Sequence, residues 1–192
     1  MSGLFKHVPN LLTGLRLASA PAVAFLLIGG NDSAALGIFT LAGLSDAADG
    51  FLAKRFGFAT RFGRYLDPAA DKLLMLASFF TLTLMHVAPI WLTAIVIGRD
   101  LAIILGIVLV VLFELPVNVS PLFVGKLSTA CQIGYVFFAL VLLSAGLVSA
   151  GHAWPIALKV AGIATAAATL VSWFAYGQVL LAAFWRRNGS QV

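Results

Sequence analysis

The acidic residues of this chain are few, and most of them lie in one short stretch. Of seven Asp and Glu residues in 192, four fall between positions 46 and 71. Asp46 and Asp49 are three positions apart and Asp67 and Asp71 are four apart, so each pair shares one face of a helical segment. Neighbouring helices joined by a short loop can bring these faces together. Such oxygen ligands suit Mg²⁺, Mn²⁺ or Ca²⁺, and no nearby His or Cys favours zinc.

The setting of these carboxylates explains why a cation is expected. Asp46 lies nine residues before Arg55, about 13 Å along a helix, in a strongly apolar segment. An unpaired carboxylate below the headgroups of a membrane costs at least ~2.5 kcal/mol. An alternative is that Asp67, which precedes a proline, is a helix N-cap and that Asp71 favours the same helix N-terminus. That alternative does not account for Asp49 or Asp46, which sit near a helix C-terminus.

The composition predicts that the helices carrying these acids lie in a membrane. The chain is 61% hydrophobic and 10% charged, with a mean hydropathy of +1.05, whereas soluble domains carry about a quarter charged residues. Six apolar stretches, each near the roughly 20 residues of a membrane span, occupy positions 10–29, 33–54, 67–87, 89–113, 122–149 and 154–185, followed by a polar tail, 186–192. No stretch alternates with the period of a barrel strand. We therefore predict an all-α integral membrane protein of six transmembrane helices, forming a single domain over residues 1–192.

The basic residues predict the orientation of these helices. One side of the six-span arrangement collects Lys6, Lys54, Arg55, Arg61, Arg64, Arg186 and Arg187. The opposite loops, around Asn31, His86 and His152, contain no Lys or Arg. The positive-inside rule therefore places both termini and the central basic loop in the cytoplasm. The net charge of +5 is thus an orientation signal, and no nucleic-acid partner is expected.

The acidic stretch also resembles a known family signature. The segments 46–54 and 63–71 closely resemble the CDP-alcohol phosphotransferase pattern D-x-x-D-G-x-x-A-R, a spacer, then G-x-x-x-D-x-x-x-D. Lys54 departs from this pattern, because the family has Arg at that position. Segments 9–16 and 125–129 resemble the family's phosphatidylglycerophosphate and cardiolipin synthases. The likeness extends to about residue 135, and the last two helices look generic.

The resemblance implies an activity and a set of roles. It implies an enzyme of phospholipid biosynthesis, usually a homodimer, in a bacterial-type inner (plasma) membrane with its active site facing the cytoplasm. Its reaction would transfer a phosphatidyl group from CDP-diacylglycerol to an alcohol and release CMP. Two Mg²⁺ or Mn²⁺ ions would be held by Asp46, Asp49, Asp67 and Asp71. Asp71 would also be the general base. The nucleotide would be bound by Gly50, Ala53, Lys54, Gly63 and Arg64.

Three cations in apolar surroundings are candidates for binding the acceptor's phosphate. They are Arg99, Lys126 and Arg16. They could instead balance the charge of the aspartates.

The neighbours of these cations bear on the choice of acceptor. Relatives that use glycerol 3-phosphate carry a further Arg eight positions after the first one, where this chain has Ile107, and a second Lys where it has Ser128. Lys126, Thr129 and Gln132 instead follow the K-x-x-T-x-x-Q pattern of the cardiolipin synthases. The resemblance therefore favours phosphatidylglycerol, with glycerol 3-phosphate as the alternative.

A function of another class is a cation-coupled transporter that uses buried carboxylates. Such proteins place acids near the membrane midplane on broken helices, with detectable internal repeats. This sequence shows neither feature, because its acids crowd one predicted face beside a basic loop.

Overall fold

Helices account for the regular structure that is described. The computed structural model describes residues 8–56, 63–113, 122–148 and 155–189, and within these the side chains of residues 14–45, 70–110, 112–113, 122–148, 155–183 and 185. The helices are α1 (Val8–Ile28), α2 (Asp32–Phe56), α3 (Gly63–Leu84), α4 (Ile90–Leu112), α5 (Phe123–Ser144) and α6 (Ile156–Gly189). Each of the six apolar stretches therefore forms a helix, and the all-α prediction is confirmed.

Three of these helices contain segments long and apolar enough to cross a membrane. They are Ile90–Val110, Phe123–Ser144 and Ile156–Ala183. The described parts of α1 and α2 contain shorter apolar segments, Gly14–Ile28 and Asp32–Ser45. The prediction of a membrane protein is supported to this extent.

Helices α3 and α6 each extend four residues beyond their predicted bounds. Helix α3 begins at Gly63, four residues before Asp67, so the interpretation of Asp67 as an N-cap is wrong. No helix breaker separates Gly63 from the proline that follows Asp67, and one proline near a helix start removes a single backbone hydrogen bond. Helix α6 continues to Gly189. Arg186 and Arg187 therefore lie in a helix rather than in a polar tail, as suits their high helix propensity.

Helices α1, α3 and α5 end in the same way. The residue after each last turn is left-handed: Gly30 has a φ of 74°, His86 of 57° and Gly146 of 68°. The next amide then bonds five residues back, as in a Schellman motif: Asn31 N to Leu26 O at 2.8 Å, Val87 N to Leu82 O at 2.8 Å and Leu147 N to Leu142 O at 2.9 Å. Helix α5 consequently stops at Ser144, before the predicted end at position 149.

The chain divides into two compact units, and the first is built around α1. This unit comprises Met1–Ala88 and Val136–Trp154, and within it α1 packs against both α2 and α3. The buried residues of α1 recur at helical spacing as Arg16, Ala20, Val23 and Leu27. Arg16 therefore continues an otherwise apolar stripe into the contact between helices.

The second unit comprises Pro89–Tyr135 and Pro155–Val192. Within it α4 packs against α6. The buried positions of α6 include Thr165, Thr169 and Ser172. Small and hydroxyl-bearing residues are what membrane helices place at their interfaces, because they allow close approach and hydrogen bonding. That the two units form one domain stays a prediction.

Candidate active site

Asp71 of the acidic stretch lies beside a buried cation. Arg16 Nη1 of α1 is 3.2 Å from Asp71 Oδ1 of α3, with the Arg16 side chain 1% exposed and that of Asp71 44% exposed. Ala70, the preceding residue, is buried, so Asp71 sits at the edge of the contact between α1 and α3. A guanidinium taken out of water needs a counter-charge, which Asp71 provides. The exposed part of this carboxylate remains accessible to a ligand.

Both acidic pairs lie on helices, as the spacing predicts. Asp46 and Asp49 belong to α2, and Asp67 and Asp71 to α3, so each pair shares a helix face. Both helices pack against α1. The side chains of Asp46, Asp49 and Asp67 lie outside the described residues, as do those of the predicted nucleotide site, Gly50, Ala53, Lys54, Gly63 and Arg64. Among the side chains that are described, no three His, Cys, Asp or Glu residues form a cluster.

The donor set nevertheless fits the predicted kind of ion. Asp71 contributes a partly exposed carboxylate, and the three other predicted ligands also carry oxygen donors. Hard cations such as Mg²⁺ and Mn²⁺ prefer this chemistry.

Arg99, which is predicted to bind the acceptor, forms hydrogen bonds and an ion pair with other residues of the protein. Its side chain is buried, and Nη1 lies 2.8 Å from Asp100 Oδ1. Nε and Nη2 donate to Ser172 Oγ at 3.3 and 3.2 Å, and Nη2 also donates to the Gly125 carbonyl at 3.3 Å. The guanidinium carbon lies 5.8 Å from the centre of the Tyr176 ring, within the range of a cation–π contact. One guanidinium thus connects α4, α5 and α6.

The absence of a side chain at Gly125 permits this arrangement. A Cβ at Gly125 would lie 2.8 Å from the Tyr176 hydroxyl and 3.2 Å from Arg99 Nη2, too close for either atom to stay in place. The Tyr176 hydroxyl also accepts a hydrogen bond from the Leu122 amide at 3.3 Å. The glycine of the Gly125–Lys126 pair therefore serves close helix packing.

The three residues of the K-x-x-T-x-x-Q pattern have different environments. Lys126 is exposed and can contact a ligand. Thr129 donates to the Gly125 carbonyl at 3.1 Å. Gln132 is buried, and its Nε2 donates to Ser128 Oγ at 3.3 Å and to Thr169 Oγ1 at 3.2 Å. Of the three, Lys126 is the one placed to bind an anion directly.

Sequence reasoning missed the polar residues of α6. Thr165, Thr169, Ser172 and Tyr176 recur at spacings of four, three and four, which places them on one helix face. Thr165 donates to the Cys131 carbonyl at 3.3 Å, and Ser128 to Thr169 at 3.2 Å. The signal was present in the sequence, since hydroxyl groups at heptad spacing in an apolar helix indicate a packed interface.

Comparison with known proteins identifies the family to which these helices belong. Residues 6–184 match the CDP-alcohol phosphatidyltransferase family, which is nearly the whole chain and includes both acidic pairs. The chain is a member of that family. Segments 46–54 and 63–71 carry the family signature, and the match extends across α5 and α6, whose sequences look generic. The match gives no support to the transporter alternative.

The relatives of this chain include cardiolipin synthases and phosphatidylglycerophosphate synthases. A cardiolipin synthase (CMP-forming) of Rattus norvegicus is 32% identical over 187 residues, covering 88% of this chain and 60% of the relative. A cardiolipin synthase (CMP-forming) of Streptomyces coelicolor is 39% identical over 99 residues, covering 48% of this chain and 46% of the relative. A probable phosphatidylglycerophosphate synthase of Mycobacterium tuberculosis is 37% identical over 103 residues, covering 50% of this chain and 49% of the relative. The chain thus spans about half the length of these relatives.

Proposed function

We propose that this protein transfers a phosphatidyl group from CDP-diacylglycerol to an alcohol acceptor and releases CMP, as a step of phospholipid biosynthesis. The observation that carries the proposal is that the two halves of the family signature lie on α2 and α3 within the family match. The partly exposed Asp71 carboxylate beside Arg16 supports it.

Asp71 is the proposed general base. Its carboxylate accepts the proton of the acceptor hydroxyl when that hydroxyl lies within hydrogen-bond reach. Arg16 holds Oδ1 and so restricts the rotation of the carboxylate. Asp46, Asp49, Asp67 and Asp71 would together hold two Mg²⁺ or Mn²⁺ ions. When bound, such ions supply positive charge that offsets the diphosphate and the departing CMP.

The predicted nucleotide site combines small residues with cations. Gly50, Ala53 and Gly63 would let the nucleotide lie close to the backbone, while Lys54 and Arg64 would offset phosphate charge. Lys54 offers a point charge without the fork geometry of the family's Arg. We propose that charge rather than two-point hydrogen bonding serves at this position.

Phosphatidylglycerol is the proposed acceptor, bound by Lys126, Arg99 and Arg16. Lys126 is exposed and can contact a phosphate directly. Arg99 and Arg16 already contact carboxylates and would share their charge with the acceptor. Because Arg99 and Arg16 are each paired with a carboxylate, Lys126 supplies the net positive charge, which suits the single charge of a phosphodiester better than the two charges of a phosphate monoester. Similarity to cardiolipin synthases supports this choice, and similarity to a probable phosphatidylglycerophosphate synthase keeps glycerol 3-phosphate as the second candidate.

The topology and assembly are proposed with the function. All six helices would cross a bacterial-type inner membrane, with both termini and the basic segment 54–64 at the cytoplasmic side, and two chains would form a homodimer. The apolar spans and the positive-inside distribution of charge support the topology, and the family resemblance supports the dimer.

The decisive experiment measures CMP release by the purified protein. CDP-diacylglycerol is supplied with phosphatidylglycerol or glycerol 3-phosphate as rival acceptors, with and without Mn²⁺ or Mg²⁺. We expect metal-dependent release with phosphatidylglycerol, and loss of release in Asp71→Asn. Reaction with glycerol 3-phosphate alone would make the acceptor assignment wrong. Release with neither acceptor would contradict the proposed activity.

A further inference from the structure

The second unit contains an apolar cavity between α4 and α6. Its volume is about 350 Å³, within the range of ligand sites, which are mostly apolar with few polar groups. Its lining includes Gly106 of α4, Leu122 just before α5, and Trp173, Tyr176, Gly177 and Leu180 of α6.

Two glycines keep this space open. A Cβ at Gly106 would lie 3.9 Å from Leu180 Cδ2, whereas a Cβ at Gly177 would have no atom within 4 Å. A side chain at Gly177 would therefore enter the cavity without meeting the backbone. The walls belong largely to the segments Ile90–Val110 and Ile156–Ala183, which are candidate membrane spans. Inside a bilayer, the molecule that most readily fills such a space is an acyl chain.

One end of the cavity is polar and lies beside a cation. The Tyr176 hydroxyl and the Leu122 amide meet there at 3.3 Å. Helix α5 begins at Phe123, so its N-terminal partial positive charge is close by. Lys126, which is exposed, follows Leu122 by one helical turn, its amide bonding the Leu122 carbonyl at 3.3 Å.

The charges of the second unit indicate what kind of headgroup fits this end. Its described basic side chains are Arg99, Lys126 and Lys159. Arg99 is paired with Asp100, and Lys159 lies on α6 some 17 residues before Tyr176, about 25 Å along the helix. Among the side chains that are described, Lys126 is thus the exposed cation near the polar end. This charge matches a phosphodiester with one negative charge rather than a nucleoside diphosphate, which carries more.

We propose that this cavity binds an acyl chain of the acceptor phospholipid, with the phosphodiester beside Lys126. The inference rests on the proposed function, since it takes the acceptor to be an anionic phospholipid. It also strengthens the choice between the two acceptors, because glycerol 3-phosphate has no acyl chain to place in the cavity.

The kinetic test fills the cavity and varies one acyl length at a time. Gly177→Leu places a side chain in the cavity, and Gly134→Leu is its matched control, since Gly134 is exposed on α5 and its Cβ would also meet no atom within 4 Å. In mixed micelles, Gly177→Leu should raise the KM for dioleoyl-phosphatidylglycerol several-fold, because the added side chain takes volume and packing contacts that the acyl chain would otherwise have. The KM for dihexanoyl-phosphatidylglycerol should not change, and Gly134→Leu should resemble the parent with both acceptors.

The outcomes separate the possible occupants. If Gly177→Leu instead raised the KM for long-chain but not short-chain CDP-diacylglycerol, the cavity would belong to the donor. That result would overturn the proposal. Equal effects of Gly177→Leu on long-chain and short-chain acceptors would also overturn it.

A binding measurement gives a result that does not depend on turnover. A variant keeping Trp173 and carrying Trp91→Phe, Trp154→Phe and Trp185→Phe reports on the cavity through quenching by brominated acyl chains. We expect brominated phosphatidylglycerol to quench at a lower mole fraction than brominated phosphatidylcholine. Gly177→Leu should remove this difference, and Gly134→Leu should keep it. Equal quenching by both lipids would overturn the proposal. A lack of quenching by either lipid would also overturn it, since it would indicate that a second copy of the chain covers the cavity.

The two tests also separate this inference from the proposed function. Quenching can be measured in Asp71→Asn, so selective quenching without CMP release would support the cavity while contradicting the activity. CMP release without any dependence on acceptor acyl length would support the activity and overturn the inference about the cavity.

Discussion

Arg16 Nη1 and Asp71 Oδ1 lie 3.2 Å apart and join α1 to α3. The two partners differ in environment, because the arginine is buried and the aspartate is partly exposed. Removing either partner should therefore have unequal consequences. The exposed partner is the proposed base, and the buried partner fixes its orientation.

Asp71→Asn should lower both stability and activity. The substitution removes a carboxylate that contacts a buried guanidinium, which costs about 1–3 kcal/mol when one partner is half-exposed, and it removes the proposed base. Thermal unfolding in detergent and CMP release measure the two effects. Arg16→Met in the Asp71→Asn background should restore most of the stability and none of the activity. An unchanged unfolding temperature in Asp71→Asn would contradict a stabilising role for the pair.

Gly125→Ala should destabilise the second unit. The added methyl group would press on the Tyr176 hydroxyl and the Arg99 guanidinium, and overpacking of this kind costs about 1–3 kcal/mol. Gly134→Ala is the control, because its Cβ meets no atom within 4 Å and alanine favours helix formation. Denaturant unfolding of both variants checks the prediction. Equal stability of the two would show that α5 can move away from Tyr176 at no cost.

Substitutions of Lys126 and Arg99 should differ in their effect on stability. Lys126→Gln should raise the KM for the acceptor roughly tenfold, from loss of a charge-assisted contact, with little effect on unfolding because the side chain is exposed. Arg99→Lys should cost about 2 kcal/mol of stability, because lysine cannot form the hydrogen bonds to Ser172 and Gly125 together. Steady-state kinetics and thermal unfolding separate the effects. Unchanged stability of Arg99→Lys would contradict the structural role of Arg99.

Removal of metal should abolish the reaction reversibly. Chelation by EDTA should stop CMP release, and added Mg²⁺ or Mn²⁺ should restore it, because the carboxylates and the diphosphate repel one another without a cation. Asp46→Asn should weaken metal activation, whereas Asp32→Asn, at the opposite end of α2, should not. Full activity in EDTA would contradict the proposed metal site.

The local features of this protein follow from its sequence. Apolar runs interrupted by turn-forming residues predict six helices, and the spacing of Asp67 and Asp71 places both on one of them. These features depend on residues close together in the chain. The left-handed end of α3 at His86 is harder to predict, because glycine is the usual residue there.

Individual side-chain pairs between helices do not follow from the sequence, because they depend on how each helix is rotated about its axis. The sequence identifies Arg16 and Arg99 as cations in apolar surroundings, but it does not reveal that Asp71 pairs with Arg16 or that Ser172 bonds Arg99. The hydroxyl groups of α6 form their hydrogen bonds with residues of α4 and α5, so their role follows from the packing of these helices.

The adjacency of Arg99 and Asp100 has a consequence for biogenesis. A lone charge at the centre of an inserting helix costs about 2.5–3.5 kcal/mol, and Ser172 and Gly125 belong to helices synthesised after α4. Asp100 is the next residue, 2.8 Å from the guanidinium. The nascent α4 can therefore enter the bilayer as an electrically neutral segment. Arg99 can then form its hydrogen bonds to Gly125 and Ser172 once α5 and α6 have emerged from the ribosome.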